Sequence, residues 1–77
     1  MEKTLLDLRP GMCGTVTRFA GAPGFMQKLR TIGIREGKTL TVVARHPLSG
    51  PVVVGIGGRE VTLGRGMAQR IMVDVTS

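Results

Sequence analysis

Apolar and polar residues alternate in several short stretches of the chain, which is the pattern of β-strands with one buried face. The alternation is clearest in residues 39–45, where Leu40, Val42 and Ala44 share a face, and in residues 71–75. Gly and Pro separate these stretches at short intervals, which favours several short strands over long helices. We therefore predict five strands, at residues 14–19, 39–45, 52–56, 59–63 and 71–75.

Two neighbouring glycines, Gly57 and Gly58, join the third and fourth predicted strands. A two-residue hairpin loop needs positive φ values, which glycine adopts without steric conflict. The pattern therefore predicts a tight β-hairpin at residues 52–63.

One segment has a helical period instead. Within residues 23–34, apolar side chains recur three or four positions apart, at Phe25, Leu29 and Ile32. Gly33 suits the left-handed position just after a helix, and Ile34 is then expected to pack against Leu29, the contact that accompanies this kind of C-terminal cap. The sequence therefore predicts one helix here, between the first and second predicted strands.

The core is expected to be aliphatic, because the only aromatic residues are Phe19 and Phe25 and there is no Trp or Tyr. Five short strands bury their apolar faces most completely by curling into a closed barrel. We predict a mainly β fold, a small five-stranded SH3-like barrel with one short α-helix between the first and second strands, and a short helical turn at residues 64–70. An OB-like barrel is the alternative, but that fold usually inserts its helix between the third and fourth strands.

The length of 77 residues suits one domain, over residues 1–77, with one hydrophobic core. The single cysteine, Cys13, cannot form an intramolecular disulfide. Asp7 and Arg9 interrupt the first apolar run, and no stretch approaches the ~20 apolar residues of a transmembrane helix. A cytoplasmic location is therefore expected.

Residues with catalytic or metal-binding chemistry are sparse. His46 and Cys13 lie on different segments, and the five carboxylates are far apart in the sequence. We predict no catalytic, cofactor-binding or metal site and no enzyme activity, because a nucleophile needs a base and a metal needs converging ligands. A metal held adventitiously or between two copies of the chain, through His46, Cys13 or a carboxylate, stays open. The glycine-rich stretches lack the Gly-Lys-Ser/Thr sequence of a phosphate-binding loop.

The net charge is +6, and the sequence pI is about 11.2. Small basic barrels often bind nucleic acid. The basic residues are spread evenly along the chain, however, and the near absence of aromatic side chains leaves nothing on which unpaired bases would stack. Nucleic-acid binding is therefore the alternative hypothesis, and no nucleic-acid partner is expected.

The order of these segments resembles the FeoA family, the ferrous iron transport protein A proteins. The resemblance extends over nearly the whole chain, and the helical segment with its following glycines is its most specific part. It is carried by residues 5–11 with 14–16, 26–37, 42–52, 61–63 and 67–73.

The resemblance implies an SH3-like barrel in a cytoplasmic protein that takes part in iron transport and transition metal ion binding. Proteins of this family bind and regulate a FeoB-type membrane transporter, which has a cytosolic GTP-hydrolysing domain, and so promote Fe(II) uptake. A similar module occurs in iron-dependent repressors, which leaves a repressor-type regulatory role as an alternative. Weak association with a second copy of the chain also stays open.

Partner binding is expected to use the loop after the second predicted strand together with basic residues of the helix. The hypothesis names Lys28, Arg30, Arg45, His46, Pro47 and Leu48. Apolar residues in the loop would anchor the partner, and basic groups would set orientation and association rate. The alternative is that Pro47 and Leu48 only shape the loop and tuck into the mouth of the barrel.

Overall fold

Six antiparallel strands and two α-helices occur in residues 1–21, 23–46 and 50–75, the part of the chain that the computed structural model describes. A 3-10 turn at Leu5–Asp7 follows the first strand. The elements are β1 (Glu2–Thr4), β2 (Cys13–Phe19), α1 (Pro23–Thr31), β3 (Thr39–Arg45), β4 (Val52–Ile56), β5 (Arg59–Leu63), α2 (Arg65–Ala68) and β6 (Ile71–Asp74). Each predicted strand is present to within one residue at either end, and α2 confirms the predicted helical turn.

The strands form one sheet in the order β1-β6-β2-β3-β4-β5. Two details of the predicted fold are corrected. The sheet has six strands and is not closed into a barrel, because its edge strands β1 and β5 do not pair with each other. The helix consequently lies between the second and third strands. The mainly β, SH3-like character is confirmed.

Strand β1 was missed because it has three residues and no apolar alternation. Its partner is distant in sequence: Glu2, Lys3 and Thr4 pair with the last strand, β6. A strand this short acquires its conformation from the partner strand, and local sequence carries little signal of it.

Strand β3 contains an extra residue that changes which side chains face the core. Its register passes from Val42 opposite Val54 to Ala44 opposite Val53. Such a bulge interrupts the strict alternation of a strand. Ala44 is therefore exposed, and the prediction that it shares the buried face of Leu40 and Val42 is wrong.

The loop between β4 and β5 is the predicted hairpin. Gly57 and Gly58 have φ values of +60° and +80°, as a type I′ turn requires. Ile56 and Arg59 are paired directly beside it.

Helix α1 ends in the predicted cap. The Gly33 N–H donates to the Arg30 carbonyl at 3.1 Å, and the Ile34 N–H donates to the Leu29 carbonyl at 2.9 Å. These two bonds define a Schellman motif, whose left-handed residue here is Gly33, with φ +94°. Leu29 and Ile34 are both fully buried, so the cap also fixes the helix to the core.

The core is aliphatic, as predicted. Fourteen buried side chains are all Leu, Ile, Val or Ala, whereas Phe19 and Phe25 are only partly buried. No buried residue in the described part of the chain is polar or charged. Leu5 of the N-terminal turn and Leu8, which follows it, belong to this core, so the turn packs against the sheet.

An exposed ion pair connects the first two strands. The Arg18 Nη2 donates to the Glu2 carboxylate at 2.9 Å, and the Thr17 hydroxyl donates to the other carboxylate oxygen at 2.8 Å. The bond from Arg18, and secondarily that from Thr17, holds the pKa of the Glu2 carboxyl below its usual value.

This pair predicts a pH dependence. A carboxyl whose pKa is lowered by folding stabilises the native state above its unfolded pKa, and the contribution is lost as pH falls through the lower, folded value. We expect wild type to melt at a higher temperature than Glu2→Gln at neutral pH. This gap in melting temperature should close once the pH falls below the ordinary pKa of glutamate, ~4.3. Paired thermal melts across this acid range measure the gap. A gap that widened on acidification would contradict the assignment.

In the described residues, no helix is both long enough and apolar enough to span a bilayer.

Candidate functional site

A groove of about 250 Å³ opens where the N-terminal turn, the β3–β4 connection and α2 meet. It contains two of the residues predicted to contact a partner, Arg45 and His46. The described residues that line it are Thr4, Leu6, Asp7, Arg45, His46, Gly50, Val52 and Arg65.

The bulge in β3 determines the position of Arg45. Because of the extra residue, Arg45 lies opposite Val52, whose side chain is buried. The guanidinium therefore reaches the end of the core, where Nη1 donates to the carbonyl oxygens of Leu6 and, at 3.1 Å, of Leu8. Arg45 thus ties the end of β3 to the backbone at the N-terminal turn, and it also lines the groove.

His46 sits at the base of the β3–β4 connection. Its backbone N–H donates to the Pro51 carbonyl at 3.4 Å, so the two sides of the connection are bonded there. A Cβ at Gly50 would lie 2.5 Å from the His46 Cβ. Only glycine therefore allows this close packing, which places the exposed imidazole beside the groove.

The groove carries more positive than negative charge. Arg45 and Arg65 contribute guanidinium groups, while Asp7 contributes the carboxylate, which accepts a bond from the Thr4 hydroxyl at 3.2 Å. Guanidinium groups favour ligands with carboxylate or carbonyl acceptors. Within the described part of the chain, no three His, Cys, Asp or Glu residues come close enough to hold a metal ion.

The two predicted helix residues lie elsewhere. Lys28 and Arg30 are exposed near the C-terminal end of α1 and do not line the groove. That end of α1 contacts the start of β5, since the Arg59 Nη2 donates to the Ile32 carbonyl. Arg45 is at the opposite end of β4, about 13 Å away along the strand. The structure therefore separates the helix residues from Arg45 and His46.

Pro47 and Leu48, the apolar part of the predicted surface, lie outside the described residues. Their part in partner binding stays a prediction.

Sequence reasoning missed Thr4, Asp7 and Arg65 as neighbours of His46. Thr4 ends β1, Asp7 ends the N-terminal turn, and Arg65 begins α2. No motif links these positions to residue 46. They meet only because β1 pairs with β6 and places the turn beside α2.

Comparison with known proteins gives consistent matches. The FeoA domain matches residues 3–75. A curated Fe(2+) transport protein A of Methanocaldococcus jannaschii is 39% identical over 51 residues, which are 66% of this chain and 60% of that protein. A crystal structure of the iron uptake regulatory protein FeoA is 34% identical, with a TM-score of 0.91, and the match covers 99% of this chain and 100% of that one.

The same fold occurs inside a longer protein. A manganese-dependent transcriptional repressor is 33% identical, with a TM-score of 0.88, over 97% of this chain and 42% of the repressor. The chain thus spans less than two thirds of both this repressor and the curated transport protein. Because the FeoA domain accounts for nearly all of the described residues, the chain belongs to the FeoA domain family.

Proposed function

We propose that this chain is a cytosolic accessory protein that binds the cytosolic region of a FeoB-type transporter and promotes uptake of ferrous iron. The observation that carries the proposal is the match to the FeoA structure over the whole of that chain. The ferrous iron transport name of the curated relative agrees with it. The action is regulatory binding, and no catalytic step is assigned to this chain.

The groove beside His46 is the part of the predicted surface that the structure supports best. Arg45 is held by two carbonyl groups of the N-terminal turn, and His46 is held by Pro51 and Gly50. Groups that are fixed before binding lose little conformational entropy when a partner arrives. In the proposed complex the loop residues Pro47 and Leu48 provide apolar contacts, and the groove binds polar groups of the partner.

An NMR titration of the chain with the transporter's cytosolic domain tests this function. GTP analogues and ferrous iron are varied independently, so that nucleotide-dependent and iron-dependent binding are separated. We expect shifts in the amide signals of His46, Gly50 and Asp7. If the domain causes no shifts under any of these conditions, the proposed function is wrong.

A substitution in the loop tests the surface itself. Leu48→Asp places a charge where an apolar contact is proposed, and we expect a tenfold or greater loss of affinity, about 1.4 kcal/mol or more, with a matching loss of uptake stimulation. Val43→Asp is the control, because Val43 is an exposed aliphatic residue, 43% accessible, that does not line the groove. Equal affinity for the domain in both variants would exclude the loop as the contact.

The repressor match favours one second function, a regulatory module acting on nucleic acid or within a repressor. Affinity for generic DNA and RNA at several salt concentrations decides this, because binding through phosphate contacts weakens steeply with salt.

A further inference from the structure

A second groove, of about 340 Å³, lies between the turn after α1 and the β4–β5 hairpin. Its lining consists of Gly33, Arg35, Lys38, Ile56, Gly57 and Arg59. We infer that this basic groove is a docking surface for an acidic segment of a partner protein. The inference rests on the proposed function in taking the transporter's cytosolic region as that partner, and it adds the chemistry by which the partner is recognised.

The lining of the basic groove is cationic. Among the described residues, three cationic side chains and no carboxylate line the basic groove. Glu36 lies in the same turn but pairs with the Arg30 Nη2 at 3.5 Å. Glu60 lines the adjoining hollow on the outer face of the sheet, which shares Ile56, Gly57 and Arg59 with the basic groove. The lining of the basic groove itself therefore has a net positive charge.

The backbone that carries Arg35 and Lys38 is held by hydrogen bonds. The Lys38 N–H donates to the Arg35 carbonyl at 3.2 Å, which closes the turn. Val16 of β2 then bonds the turn twice, accepting from Gly37 at 2.8 Å and donating to Lys38 at 2.9 Å. Positions held in this way require little reordering when an anionic partner binds.

Arg59, on the hairpin side of the basic groove, is held by a hydrogen bond to the end of α1. Its Nη2 donates to the Ile32 carbonyl at the end of α1. A guanidinium has five N–H donors, so this bond leaves most of them for a ligand carboxylate. Arg35 and Lys38 of the hydrogen-bonded turn and Arg59 of β5 thus line the same groove.

The groups in the basic groove fit an acidic polypeptide better than a nucleic acid. Nucleic acid binding uses many phosphate contacts and, for unpaired strands, aromatic stacking surfaces. The basic groove offers three cations and no aromatic side chain, and its main apolar residue, Ile56, is 95% buried, with 5% accessible. Because Gly57 has no side chain and nothing lies within 4 Å of a Cβ built there, an extended polypeptide can approach the backbone closely at this point. A few carboxylates on such a segment match the available groups.

Binding of N-acetylated hexaglutamate to the full chain, followed by NMR, tests the inference. We expect shifts centred on Arg35, Lys38, Gly57 and Arg59, which weaken when salt is raised. Lys38→Glu should reduce the affinity about three- to tenfold, because it replaces an attraction by a repulsion. Arg9→Glu is the matched control, since it changes the net charge equally at an exposed site outside the basic groove, and hexaglutamine is the uncharged peptide control.

Equal loss of hexaglutamate affinity in Lys38→Glu and Arg9→Glu would overturn the inference, and so would equal binding of hexaglutamine and hexaglutamate. RNA that shifts the amide signals of the groove residues while hexaglutamate does not would also overturn it. The transporter domain separates the two proposals. If it binds wild type and Lys38→Glu equally, the basic groove is wrong and the proposed function stands. If the transporter domain binds neither wild type nor Lys38→Glu while hexaglutamate binds as described, the proposed function fails and the acidic-segment surface is supported.

Discussion

Leu29→Ala is expected to lower the free energy of unfolding by about 2–5 kcal/mol, the usual effect of deleting a fully buried leucine side chain. Leu29 is fully buried and is the only buried residue of α1, so it is the main anchor of this helix on the sheet. A chain of 77 residues has a total stability of only about 4–12 kcal/mol. The variant should therefore melt at least about 10 °C below wild type.

Far-UV circular dichroism or calorimetry measures this change, since the chain has no Trp or Tyr to report unfolding by fluorescence. Gln27→Ala is the control in the same helix. Gln27 is exposed, and its replacement should change the stability by less than about 0.5 kcal/mol. A Leu29→Ala variant that melts like this control would show that α1 is not anchored through Leu29.

Gly33→Ala is expected to destabilise the fold by about 1–3 kcal/mol, for two separate reasons. Gly33 has a φ of +94°, where a side chain is strained, and its Cβ would meet the Arg59 Nη2. The variant therefore strains the cap of α1 and also displaces the arginine that bonds the Ile32 carbonyl. Thermal and denaturant melts measure the loss.

Gly37→Ala separates the two causes. Gly37 has a similar φ of +87°, but nothing lies within 4 Å of a Cβ built there. It should show the backbone strain alone, about 1 kcal/mol. Adding Arg59→Ala should recover part of the stability lost in Gly33→Ala, because the guanidinium that meets the new Cβ is then absent. If the free energy of unfolding falls equally in Gly33→Ala and Gly37→Ala, the contact with Arg59 does not contribute to the loss in Gly33→Ala.

Much of the fold was predictable because its signals are local. The hairpin depends on two adjacent glycines, and the cap of α1 depends on residues within one helical turn of Gly33. The alternation that predicts β6 needs only the residues of that strand. These features lie within windows short enough for the chain to specify them without its tertiary partners.

What was missed depends on partners distant in sequence. Strand β1 exists because it pairs with β6, and the order of the sheet, with β1 and β5 at its edges, is set by such pairings between segments distant in sequence. The bulge in β3 reflects the register with β4, and nothing in residues 39–45 marks it.

The candidate site was predictable only in part. The sequence pointed to Arg45 and His46 as exposed basic residues of one loop. It did not indicate that Arg45 bonds the N-terminal turn, or that Asp7 and Arg65 share the groove with His46. Nor did it indicate that Arg35, Lys38 and Arg59 line one groove. They do so because the turn after α1 lies beside the β4–β5 hairpin, which is distant in sequence.

The extra residue in β3 has a consequence for how tolerant this region is to changes of length. Val43 and Ala44 together take the place of one residue opposite Val53, so the strand is back in phase at Arg45, which lies opposite the buried Val52. The direction of the Arg45 side chain thus depends on the number of residues between Val42 and Arg45 as well as on their identity. Deleting Val43 or Ala44 should leave Arg45 on the face of Val52, whereas inserting one residue there should turn Arg45 outward and remove the donor to the Leu6 and Leu8 carbonyl groups.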